Sequence, residues 1–147
     1  LQGEATVLAI AEHCPLLEEL RLDGMPGLTA RCVYAIARQC PRLRVCCILN
    51  ALDATDDCFK ALVDGCPDLE LLGLPFNSRL TIATLRYIAA HCARLKTVVF
   101  APTRWLPDQD VLAATELFPE GVAEVETVYR YHGHDEDEDA NDIHPLP

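Results

Sequence analysis

Cys40-Pro41-Arg42-Leu43-Arg44-Val45-Cys46-Cys47-Ile48 decides the fold, because the chain carries versions of this stretch four times. Cys14-Pro15-Leu16-Leu17 precedes it, Cys66-Pro67-Asp68-Leu69 follows, and Cys92-Ala93-Arg94-Leu95 keeps the cysteine and leucine without the proline. Successive cysteines stand 26 residues apart. Counted from each cysteine, the third residue on is Leu17, Leu43, Leu69 and Leu95. The sixth is Leu20, Cys46, Leu72 and Val98, and the eighth is Leu22, Ile48, Leu74 and Phe100. Apolar residues two apart at the end of this run predict a short strand with one face buried.

Fifteen residues beyond the cysteine stand Thr29, Thr55 and Thr81, each suited to start a helix by accepting an otherwise unpaired N–H with its hydroxyl. The fourth copy has Pro107-Asp108 there, another helix opening. Helical spacing follows in Val33, Ile36 and Ala37, in Phe59, Leu62 and Val63, in Leu85, Ile88 and Ala89, and in Val111 and Ala114. Proline after the cysteine is expected to end each helix, since it lacks an N–H and restricts the residue before it. Each 26-residue unit therefore reads as strand, turn and helix. Such a unit cannot bury its apolar side alone, but stacked units share one core. The recurring cysteine falls where helix gives way to strand, a crowded corner that suits a small apolar side chain.

The chain has 147 residues, 50 % of them hydrophobic, enough for one domain with a sizeable core. The formal net charge is −11, and six of the acids lie in residues 132–147, which have no Lys or Arg. That balance disfavours nucleic acid and anionic membrane as ligands, because both call for basic surface. No apolar run reaches the ~20 residues of a membrane span. The tail, residues 132–147, has the low hydrophobicity and high charge of a flexible segment, leaving residues 1–131 for the repeat array. The eight cysteines follow the structural period, so they read as buried free thiols of a reducing compartment, cytoplasm or nucleus.

The text of the units, "CPLLEELRL", "CPRLRVCCI", "CPDLELLGL" and "CARLKTVVF", with "LTARCVYAIA", "ATDDCFKALV" and "LTIATLRYIA" after the first three, resembles the cysteine-containing class of leucine-rich repeats found in F-box/LRR proteins. The resemblance covers roughly residues 1–118. It implies an α/β solenoid, with parallel strands on the concave face and helices on the convex one, and a protein-binding role. The position near the strand end that is Asn or Cys in the general motif holds Met25, Ala51, Asn77 and Thr103. Residues 1–13 match the end of a unit through Val7, Ile10 and Ala11, so the first repeat is incomplete and another segment or chain is expected to cover it. "GVAEVETVYRY", Gly121 to Tyr131, reads as a final strand closing the sheet.

Residues beside the buried strand positions should point outward: Glu19, Arg21 and Asp23, then Val45, Cys47 and Leu49, then Leu71, Gly73 and Pro75, then Thr97, Val99 and Ala101. The first row is charged and the others mostly apolar, as an interface would be; a register slip would instead make some of them core. Cys47 is the thiol expected to react readily. "APTRWLPDQD" holds Arg104 and the only Trp, Trp105, residue types that often dominate binding energy. Trp105 could equally pack beneath the C-terminal end. His13-Cys14 and His91-Cys92 resemble ligand pairs, but Gln39 and Gly65 stand in the other units and no C-x2-C pair occurs, so no metal or cofactor is expected. His132 and His134 with the carboxylates after them could hold a divalent cation weakly or simply be solvated. No phosphate-cradling loop or nucleophile motif is present, and the expected role is binding, not catalysis. Two readings stand: the substrate-recognising part of an F-box-type ubiquitin ligase receptor, or a structural subunit packed into a large assembly.

Overall fold

A computed structural model describes residues 2–75, 79–100, 106–118 and 124–127. The elements alternate: α1 (Gln2–His13), β1 (Glu19–Arg21), α2 (Ala30–Gln39), β2 (Val45–Cys47), α3 (Asp56–Gly65), β3 (Leu71–Gly73), α4 (Ile82–His91), β4 (Thr97–Phe100), α5 (Asp108–Glu116) and β5 (Glu124–Thr127). The strands form one sheet in the order β1-β2-β3-β4-β5, every neighbouring pair parallel. The fold is α/β. Parallel neighbours need a crossover longer than a turn, and each crossover here is a helix.

The sequence period becomes the sheet register. Glu19 lies opposite Val45, Val45 opposite Leu71, and Leu71 opposite Thr97. No slip occurs, because a shift of one residue would send the buried set to the other face. The last step is one residue longer, with Thr97 opposite Glu124 and Val98 opposite Val125. The expected final strand is thus present over Glu124–Thr127, and the rest of Gly121–Tyr131 lies outside the described residues. At each entry to a strand one carbonyl accepts two N–H groups: Glu18 from Arg44 and Val45, Arg44 from Glu70 and Leu71, and Glu70 from Lys96 and Thr97.

The leucines at the third, sixth and eighth positions fill the space between sheet and helices. Leu43, Cys46, Ile48, Leu72, Leu74, Val98 and Phe100 are fully enclosed, packed in one cluster with Val33, Ile36, Phe59, Leu62, Leu85 and Ile88 from the helices. Full burial of side chains of this size contributes about 1.5–3 kcal/mol each before conformational entropy is counted. The helices pack side by side, α1 on α2, α2 on α3, α3 on α4 and α4 on α5. The α2–α3 approach is close: a Cβ on Gly65 would lie 2.0 Å from the Ala37 carbonyl oxygen.

Two local expectations are corrected. Thr29, Thr55 and Thr81 do hold extended N-cap positions, but only the Thr81 hydroxyl accepts a backbone N–H of its own helix, that of Ala83 at 3.2 Å. Carboxylates of neighbouring units take over the bracing. The Thr29 hydroxyl donates to Glu4 at 2.8 Å, and the Ala30 N–H donates to Asp53 at 2.7 Å. Asp56 accepts from the Thr81 N–H at 2.9 Å, from the Thr81 hydroxyl at 2.6 Å, and from the buried Thr84 hydroxyl. Nor is proline required to end a helix here. α4 stops at His91 with Cys92 as C-cap (φ −97, ψ 80), before Ala93, much as α2 and α3 stop at Cys40 (φ −119, ψ 65) and Cys66 (φ −124, ψ 76).

Candidate functional site

The register sorts the outward side chains into rows running across the sheet. One row is Glu19, Val45, Leu71 and Thr97, and the next is Arg21, Cys47, Gly73 and Val99; Asp23, Leu49 and Pro75 follow just past the strands at the same 26-residue spacing. Glu19, Arg21 and Asp23 are exposed at the β1 edge. Val45, Leu49, Leu71, Thr97 and Val99 are half-buried, so a low apolar surface continues from the charged edge. Ala101, Arg104 and Trp105 lie outside the described residues.

Three residues expected to point outward are corrected, and one of them, Gly73, is buried. Pro75 is buried and presents little to a partner. Cys47 is only 5 % exposed although it stands apart from the main core cluster. Gly73 on the next strand explains this: a Cβ there would lie 3.1 Å from the Cys47 sulfur and 3.2 Å from Leu49 Cδ2. Cys47 and Leu49 thus close over the backbone that the glycine leaves bare. Burial pushes the Cys47 thiol up, and the nearby Asp23 charge adds to it, against a lowering by Arg21 and by the Gly73 backbone. Nucleophilic chemistry needs the thiolate, so a raised pKa keeps the Cys47 thiol protonated further up in pH than a free cysteine.

The recurring cysteines answer to position. Cys40, Cys66 and Cys92 are buried, whereas Cys14 is exposed, contrary to the expectation of four buried thiols. The Cys66 thiol donates to the Cys40 carbonyl at 3.3 Å, and the Cys40 thiol points the same way at the Cys14 carbonyl, 3.7 Å away. Burial, then the neighbouring cysteines, pushes Cys66 up to about 12; burial, then Asp64, pushes Cys92 up to about 11. All eight cysteines are free. Among the described residues no three His, Cys, Asp or Glu side chains converge as metal ligands, and no helix is long and apolar enough to cross a membrane.

A second feature went unread in the sequence although its signal is there. Four residues past each cysteine stand Glu18, Arg44, Glu70 and Lys96, alternating in sign. The register stacks them into a ladder: Arg44 to Glu18 at 3.5 Å, Arg44 to Glu70 at 3.1 Å, and Lys96 to Glu70 at 3.7 Å. The hydrogen bond from Arg44 holds the Glu70 carboxyl below the usual carboxylate range, and Glu70 in turn raises Arg44. Asp68 and Arg94, two positions past their cysteines, pair at 3.3 Å. Charged neighbours of opposite sign favour one stacking order and resist a shift by one unit. No family model and no curated protein matches the chain.

Proposed function

We propose that the chain is a protein-binding module built as a leucine-rich-repeat solenoid, strands lining the concave side and helices the convex side. The observation that carries this is the sheet face, where Val45, Leu71 and Val99 stand half-exposed in adjoining rows beside Glu19, Arg21 and Asp23. A contiguous apolar surface bordered by charge is what a protein partner covers. The eight free thiols support a reducing compartment, cytoplasm or nucleus. Resemblance to F-box/LRR proteins supports a role in recognising the client of a ubiquitin ligase.

A structural subunit of a large assembly is the second reading, favoured by a different observation. Leu16 is 64 % exposed, a large apolar side chain at a position that is charged in the other units (Arg42, Asp68, Arg94), and a permanent neighbour would cover it. Affinity purification of the full-length protein separates the two. Recovery of ubiquitin-ligase subunits supports the receptor; a stable stoichiometric complex without them supports the subunit. In either case the double variant Val45→Asp with Leu71→Asp is expected to lose the partner while keeping its far-ultraviolet circular dichroism. Unchanged capture by that variant would remove the sheet face as the docking surface.

A further inference from the structure

We propose that the outer face of α2, α3 and α4 is a docking surface for an acidic segment, and that its occupant is residues 135–142 of this same chain. This face lies on the helix side of the molecule, so the inference does not depend on what binds the outward sheet face.

The first observation is a set of cations that the fold leaves without carboxylates. Arg31 pairs with Glu4, Arg44 with Glu18 and Glu70, Arg94 with Asp68, and Lys96 with Glu70. Arg38 on α2, Lys60 on α3 and Arg86 on α4 have no carboxylate at ion-pair distance among the described residues. Arg38 and Arg86 are exposed and Lys60 is half-buried, while Ile36, Leu62 and Ile88 of the same helices fill the core. Two of these cations are held in place by aromatic rings. The Arg38 guanidinium lies over Tyr34 at 5.9 Å and the Lys60 ammonium over Tyr87 at 5.8 Å, contacts that orient a charge without neutralising it. Of the carboxylates on α3, Asp56 is taken up by Thr81 and Thr84 and Asp64 by the Tyr87 hydroxyl at 2.7 Å, which leaves Asp57. Cations thus outnumber acids on these three helices, in a chain whose net charge is −11.

The second observation is where the chain keeps its excess of acid. Asp135, Glu136, Asp137, Glu138, Asp139 and Asp142 fall within eight residues that include no Lys or Arg. They lie outside the described residues, but their tether does not: β5 pairs with β4 and runs to Thr127. From there Asp135 lies within about 26 Å of extended chain and Asp142 within about 50 Å. α4 packs on α5 and α3 on α4, so α4, α3 and α2 stand about 10, 20 and 30 Å beyond α5. Arg86, Lys60 and Arg38 are all within that reach. An exposed ion pair is worth little alone, but a tether of this length holds the acids near the face at roughly millimolar effective concentration. Charge sign and reach therefore select this segment as the occupant.

Lys60 and Lys96 are the two lysines of the chain, one on this face and one in the ladder on the sheet side, which gives the test its control. The full chain, confirmed monomeric by sedimentation, is coupled with a carbodiimide at low ionic strength, digested, and read by mass spectrometry. Amide links from residues 135–142 to Lys60 are expected at severalfold higher yield than links to Lys96, and ~0.5 M salt is expected to suppress them. Arg38→Gln with Arg86→Gln, both at exposed positions and with helicity checked by circular dichroism, is expected to lower the Lys60 yield severalfold and leave the Lys96 yield unchanged. Equal yields at the two lysines, links to neither, or a Lys60 yield indifferent to salt or to the double variant would each overturn the proposal. So would links found only between chains in a mixture of isotope-labelled and unlabelled protein, because the occupant would then be a second copy.

Discussion

At the residue scale, one side chain repeated at one corner behaves differently according to what lies next to it. Cys40, Cys66 and Cys92 are shielded while Cys14 is open to water, although the four share their local sequence. Thiol reagents attack accessible thiolates, so under native conditions Cys14 is expected to react first among the eight, and Cys14→Ser to remove that fast phase. Cys47→Ser should leave it unchanged. A fast phase that follows Cys47 instead would mean that Leu49 does not close over it. Asp56 is a second residue whose role lies outside its own unit. It accepts the Thr81 N–H and both the Thr81 and Thr84 hydroxyls, so Asp56→Ala leaves the buried Thr84 hydroxyl short of a partner. The expected loss is about 1–3 kcal/mol in urea denaturation, with Asp56→Asn intermediate. The threonine positions were legible in the sequence as helix starts, but the carboxylates that brace them were not, because the partners lie 25 residues or more away.

Elements take their limits from packing as much as from local signals. α4 ends before Ala93 where α2 and α3 end before Pro41 and Pro67. The shared feature is the cysteine corner, where the chain must turn down into a strand held by its neighbour's carbonyl. Pro67→Ala is accordingly expected to leave helix content unchanged by circular dichroism; a gain in helicity would restore proline as the terminator. Where two helices press together, a single methyl matters. Gly65→Ala would set a carbon against the Ala37 carbonyl oxygen at 2.0 Å, and backbone on both sides would have to move. Overpacking of this kind is expected to cost about 1–3 kcal/mol, read as a lower urea midpoint.

On the scale of the whole molecule, buried thiols tie stability to alkaline pH. Cys66 and Cys92 are pushed from an ordinary 9.0 to about 12 and about 11. Below pH 9 both remain protonated in the folded and the unfolded chain, and their contribution is constant. Above it the unfolded chain releases protons that the folded chain keeps, so stability falls as pH rises from about 9 toward 12. A Cys66→Ala, Cys92→Ala double variant should be less stable at neutral pH yet show a shallower decline over that window. An equally steep decline would show that these thiols do not govern it. The Glu70 carboxyl acts at the other end. Held below its usual range by Arg44, it contributes stability that is present above the ordinary carboxylate pKa and is lost as pH falls through the lowered one.

The sequence by itself determined the 26-residue period, the burial of the sixth and eighth positions, the alternation of strand and helix, and which strand positions line up across the sheet. These follow from hydrophobic periodicity, which each residue carries wherever its unit stands in the stack. Only the tertiary structure decided that Cys14 is open, that Cys47 and Pro75 are covered, and that a carboxylate from one unit braces the helix of the next. The physical reason is the same in each case. Exposure, ion pairing and hydrogen bonding belong to the gap between units, and what fills that gap depends on which unit stands beside it.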